Sequence, residues 1–123
     1  MEVFREIQES LAEILDLDPQ EISPESYMVR ELGAESIDLL ELSVSLDTRF
    51  KVEINDDEIY LRTVRLTLNE AGANHESPVD YLVRRFPFLT EDRTAEILSD
   101  LENGPVLKVK DLTGYIIWQL GQN

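Results

Sequence analysis

Between residues 36 and 50 the chain reads SIDLLELSVSLDTRF, and at about 100° per residue its apolar positions fall on two stripes instead of one. Leu39, Leu42, Leu46 and Phe50 form the first, the natural core-facing side. Ile37, Leu40 and Val44 form the second, across the helix axis, flanked by Ser36, Glu41 and Asp47. A helix packed on one side needs a single apolar stripe. The second must be covered by another element of the chain or left available to a partner.

The remaining elements also read as helices. Val3, Phe4, Ile7, Leu11 and Ile14 recur at spacings of three and four, with Glu2, Glu6, Glu9 and Glu13 between them, and Asp18-Pro19 and Ser23-Pro24 end that helix. A loop over residues 16–34 follows, with Ile22, Tyr27, Met28 and Leu32 as its anchors; loops of that length are often functional. Asn55 reads as a cap, and Asp56, Asp57 and Glu58 as the acidic first turn of a third helix. In LRTVRLTL, residues 61–68, Val64, Leu66 and Leu68 alternate as in a strand, while Leu61, Val64 and Leu68 fit a helix, the reading taken here. Gly72 and Asn74 break this pattern, and Ser77-Pro78 starts a helix with Val79, Leu82, Val83 and Phe86 on its apolar side. Thr90 opens a segment with Ala95, Leu98 and Leu101, which Asn103-Gly104-Pro105 stops. The last helix would bury Leu112, Tyr115, Ile116 and Leu120, with Trp118 nearby. The class is therefore an all-α bundle, in one domain of 123 residues.

Charge narrows the partners. Residues 1–58 hold 17 acidic and 4 basic side chains, against 9 and 7 in residues 59–123, so most of the net −15 sits on the half containing Ser36. Such a field repels nucleic acid and anionic lipid and draws basic protein surfaces. No apolar run is long enough to span a bilayer, and MEVFREIQES lacks a signal-peptide pattern, so a cytoplasmic monomer with no membrane insertion is expected.

Little here can do chemistry unaided. A serine–histidine–acid triad would depend on the single histidine, His75, and Ser36 is outside a G-x-S-x-G elbow because Asp38 stands where the second glycine belongs. Zinc spacing, a calcium-loop ordering and a phosphate-cradling glycine loop are all missing from the sequence, so no metal site and no catalytic residue are assigned. With no cysteine, any thiol chemistry would need an imported sulfur. Ser36 can be a helix cap, or a hydroxyl offered to a modifying enzyme; Gly33 and Ala34 leave its approach open.

The stretch LGAESIDLLEL, residues 32–42, is similar to the signature of acyl carrier proteins, in which an L-G-x-D-S-L segment presents the serine that takes 4′-phosphopantetheine from coenzyme A. The resemblance runs from residue 1 to about Ile59, through Ile22-Ser23-Pro24, Phe50-x-x-x-Ile54 and the acidic Asp56-Asp57-Glu58. It implies an acyl-carrier-like four-helix bundle, a covalent arm on Ser36, and a partner face of Glu35, Ile37, Leu40, Glu41, Val44 and Asp47. It implies as partners a phosphopantetheinyl transferase and acyl-transferring or synthase enzymes with basic docking surfaces, in lipid, fatty-acid or polyketide-type biosynthesis. Leu39, Leu42, Leu46 and Ile59 are the candidate lining of an acyl site.

The sequence departs from the pattern in three ways. Glu35 replaces the usual aspartate; Thr48, Arg49 and Lys51 stand at commonly acidic positions, which makes the partner face less uniformly negative; and the chain is long. Residues 107–120 resemble the family's closing helix, which makes 1–61 a carrier core, 62–105 an insertion of about two helices and 106–121 the closing helix. The competing division takes 61–68 as the closing helix and everything after Gly72 as an extension. An unmodified acidic adaptor, binding proteins through the Ile37, Leu40 and Val44 stripe, is the alternative function.

Overall fold

A computed structural model describes residues 2–121. Its α-helices are α1 (Glu2–Leu15), α2 (Ser36–Phe50), α3 (Asp56–Ile59), α4 (Val64–Ala73), α5 (Pro78–Arg85), α6 (Glu91–Asp100) and α7 (Val109–Gly121), with 3₁₀ turns at Pro19–Glu21 and Leu101–Asn103. Among the described residues there is no sheet, only an isolated antiparallel bridge between Tyr27 and Lys108. No helix among them is long and apolar enough to cross a membrane.

Helix α1 packs on α2 and α7, and α3 touches α7, while α4 packs on α5 and α5 on α6. Buried apolar residues from all seven helices join one cluster: Ile7 of α1, Leu42 and Leu46 of α2, Ile59, Val64, Leu82, Ile97, and Leu112 with Ile116 of α7. The segment 62–105 thus contributes α4, α5 and α6 to the same core.

Several local readings are corrected. Helix α1 stops at Leu15, ahead of both prolines, because Asp16 turns left-handed (φ 56°) and Leu17 N–H donates back to Ala12 O at 3.0 Å. Helix α4 runs through Gly72 and ends in the same way at His75 (φ 55°), with Glu76 N–H on Ala71 O at 2.9 Å. Ser77 takes the cap position of α5 but makes no side-chain cap bond. In α6 Ala95 is exposed and Ile97 fully buried, because the inward side is set by Arg93, Thr94 and Ile97. Leu120 is exposed, as is Ile117, on the final turns of α7.

The inward Arg93 is matched by Asp111. Its Nε and Nη2 donate to the two carboxylate oxygens, both at 2.7 Å, and Nη2 also reaches Val106 O at 2.8 Å. Asp111 in turn accepts from Lys108 N–H at 2.9 Å, fastening the start of α7 to α6. Forked geometry and full hydrogen bonding offset the desolvation of two charges, whereas removing one partner strands the other. Asp111→Ala is expected to lower unfolding free energy in urea by about 3–5 kcal/mol, with the double Arg93→Met/Asp111→Leu variant recovering most of it.

Candidate functional site

The approach to α2 is built by the 23–34 loop. Leu32 N–H donates to Tyr27 O at 3.0 Å, Gly33 N–H to Val29 O at 3.2 Å and Ala34 N–H to Met28 O at 3.0 Å. Gly33 sits at φ +71°, a conformation that glycine adopts freely, and a Cβ there would have nothing within 4 Å. Ala34 is buried and pins the turn to the core. Its role is anchorage, which differs from the open approach expected of it.

Ser36 then occupies the first helical position, and the cap is Glu35, with extended backbone (φ −104°, ψ 171°). Asp38 reaches back to accept from Glu35 N–H at 2.8 Å. The Ser36 hydroxyl is left exposed, without a hydrogen-bond partner among the described residues. The cap reading of Ser36 therefore fails: a residue one position too late cannot do that work.

The second stripe of α2 is uncovered. Ile37, Leu40 and Val44 are 61%, 56% and 65% exposed, and Glu35, Glu41 and Asp47 are exposed beside them. Arg49 does not dilute this acidic face, contrary to expectation. It turns to α1, within 3.5–3.9 Å of Glu6, Glu9 and Glu13. His75 lies at the end of α4 and shares no hydrogen bond with Ser36 among the described residues, so no triad is assembled.

The loop before Ser36 is fastened to the 100–110 segment. Tyr27 hydroxyl donates to Asp100 Oδ2 at 2.6 Å, and Arg30 donates to Asp100 Oδ1 at 3.1 Å and to Gly104 O at 2.9 Å. The Tyr27 hydroxyl, then Arg30 and Asn103, hold the Asp100 carboxyl well below the usual carboxylate range. Met28 N–H on Leu107 O and Val109 N–H on Ser26 O, both 3.0 Å, add backbone links. Tyr27 and Met28 were expected as anchors of the loop, but their partners were not visible in the sequence, where Arg30 and Asp100 are 70 residues apart.

On the inward side Ser43 donates to Asp56 Oδ1 at 2.8 Å, Tyr60 donates to Leu39 O at 2.7 Å, and the two hydroxyl oxygens are 2.7 Å apart. The two hydroxyls thus link the Leu39 carbonyl to the Asp56 carboxylate, tying α2 to the end of α3. Beside Leu39 a cavity of about 420 Å³ opens, walled by Leu61, Val64 and Val106 among others. Of the four candidate lining residues only Leu39 borders it. Leu42, Leu46 and Ile59 are fully buried core.

Comparison with known proteins gives the family. Residues 5–69 match the family described as a phosphopantetheine attachment site, so the chain belongs to the phosphopantetheine-binding carrier family. It is similar to the acyl carrier protein of Wolinella succinogenes, 41% identical over 58 residues that span 47% of this chain and 76% of that one. It is also similar to the acyl carrier proteins of Helicobacter pylori (40%, 47% and 74%) and Campylobacter concisus (41%, 47% and 75%). No solved structure matches. Members of this family are carriers, not catalysts; they are modified by a phosphopantetheinyl transferase and meet biosynthetic enzymes.

Because Ser36 caps nothing, Ser36→Ala is expected to change the unfolding free energy by less than about 0.5 kcal/mol, where losing a capping serine would cost about 1. A second expectation concerns pH. Burial first, then the Asp56 carboxylate, push the Tyr60 phenol up to about 12, against the Ser43 hydrogen bond and Arg62. A folded phenol that holds its proton more tightly contributes stability in full below the unfolded value of about 10, lost as pH rises through the folded one. Unfolding followed from pH 9 to 12 should therefore show a shallower loss in Tyr60→Phe than in the wild type.

Proposed function

We propose that Ser36 is the hydroxyl that takes the arm, and that the chain carries acyl groups as thioesters in lipid, fatty-acid or polyketide-type biosynthesis. The observation behind this reading is an exposed hydroxyl, free of capping work, at the first position of a 15-residue helix. The surroundings fit the group: the open space at Gly33 gives a modifying enzyme access, and the unpaired N–H groups of the first turn favour a phosphodiester by about 0.3–1 kcal/mol. When attached, the arm supplies the thiol that this cysteine-free chain lacks.

The exposed stripe and its acidic rim act in this reading as the docking face, with Ile37, Leu40 and Val44 seated in an apolar groove of a partner and Glu35, Glu41 and Asp47 meeting basic side chains around it. Charge steers the encounter and the apolar centre holds it. In this reading the chain divides into a carrier core over 1–61, an insertion over 62–105 and a closing helix over 106–121, a division the packing supports, while the family match over 5–69 takes in the 61–68 segment of the competing one. Helix α7 lies on α1 and α3 as a closing helix would, while α4, α5 and α6 pack in succession on one another.

Intact mass after incubation with coenzyme A and a phosphopantetheinyl transferase tests the assignment. One added phosphopantetheine is expected on the wild type and none on Ser36→Ala; a folded wild-type chain whose mass never changes would leave the unmodified adaptor.

A further inference from the structure

The cavity beside Leu39 is unusual for the chain that holds it. In a sequence with 26 acidic residues against 11 basic ones, its two charged lining residues are both arginines, Arg62 and Arg65, and no carboxylate lines it. The other walls include Leu39, Leu61, Val64 and Val106, so the space is largely apolar, with two exposed arginines among its lining residues. Its volume of about 420 Å³ falls within the about 300–1,000 Å³ of small-molecule sites.

Both guanidiniums keep donors to spare. Arg65 Nη2 donates to Leu101 O at 2.8 Å, which fixes the side chain while using one of five N–H groups, and it forms no ion pair among the described residues. Arg62 has only an exposed Asp57 at 3.9 Å and the Tyr60 ring at 5.6 Å. The turn that puts Arg62 there is strained: Leu61 is left-handed (φ 55°), at a cost of about 1 kcal/mol for a residue with a Cβ. Leu61 N–H on Glu58 O (3.2 Å) and Arg62 N–H on Asp57 O (3.0 Å) maintain it. Leu39 follows Ser36 by three residues, about 4.5 Å along the helix and on a neighbouring side.

We infer that this cavity selects the cargo, and that the cargo is an acyl group with an apolar body and a carboxylate at its other end, received by Arg62 and Arg65. The inference rests on Ser36 as the attachment point. Apolar walls accept the methylene body, and forked guanidinium donors match a carboxylate better than any neutral terminus. The 101–107 segment, which supplies Leu101, Val106 and the carbonyl holding Arg65, gives the extra helices a direct part in that choice.

The test uses the full chain loaded by a promiscuous transferase from suberyl-coenzyme A or octanoyl-coenzyme A, which share an eight-carbon chain and differ in the terminal carboxylate. Loading is confirmed by intact mass, and thioester half-life in hydroxylamine is then measured. The suberyl form of the wild type should last about fivefold longer than the octanoyl form, a ratio that falls to about one in Arg62→Gln/Arg65→Gln. Equal half-lives in the wild type overturn the assignment. So does a double variant that shortens both half-lives alike, since the bound anion is then the arm's own phosphodiester. The melting temperature of the unloaded double variant guards against misfolding, and in a misfolded case Arg62→Lys/Arg65→Lys, which keeps charge but loses the fork, must show an intermediate ratio. Failure to load removes the carrier reading and this inference together, whereas loading without selective protection removes the inference alone.

Discussion

The helix that carries Ser36 is approached by a loop whose place depends on the 100–110 segment. From Leu17 to Glu35 the chain has one 3₁₀ turn of three residues and a set of local turn hydrogen bonds, which shape the backbone without seating it on the rest of the molecule, although each ordered residue loses about 1–2 kcal/mol of conformational free energy. Its position comes from outside. Ser26, Met28 and Pro24 share backbone hydrogen bonds with Val109, Leu107 and Lys110, and Tyr27 and Arg30 close on Asp100. The Arg30 guanidinium lies over the Tyr27 ring at 4.1 Å from its centroid and the Lys108 ammonium at 4.8 Å. The left-handed turn at Gly33, the Glu35 cap and the free Ser36 hydroxyl all follow from where this loop is pinned.

That dependence gives residues 100–110 two tasks. One edge of the segment holds the loop before Ser36, and another walls the cavity beside Leu39, through Leu101, Gly104 and Val106. The Arg93–Asp111 pair stiffens it from beneath, because Arg93 Nη2 also holds the Val106 carbonyl. A change in α6 therefore reaches the loop before Ser36 through Asp100 and the cavity through Val106, with no need for a longer route through the core.

How much of this the sequence revealed depended on distance along the chain. Helices α1 and α2, the apolar stripe left open on α2 and the Asn55 cap were legible, because each is set by residues within a few turns of one another. The Glu35 cap was not, since glutamate is an uncommon cap and Ser36 beside it is a common residue for that role. The inward side of α6 was misplaced because its buried polar residue, Arg93, takes a core position that only Asp111, 18 residues away, makes tolerable. Leu42 and Leu46, candidates for the lining, sit on the stripe that reads first as core, and core is what they are; the side chains packed on them decide, and periodicity carries no record of those. The cavity itself joins residues from Val29 to Leu107, and no local pattern announces it.

The two signs of charge are sorted by task. Acids crowd the outer side of α2, where Glu35, Glu41 and Asp47 surround an exposed apolar stripe and their field reaches an approaching protein over about a Debye length, 8 Å at physiological salt. An anionic cargo on Ser36 would be repelled by that same field. In the proposed cargo site Arg62 and Arg65 would answer it by contact, from the exposed border of an apolar cavity. Exposed acids can thus serve recognition without dictating what the interior accepts, because recognition works through a long-range field and acceptance through contact.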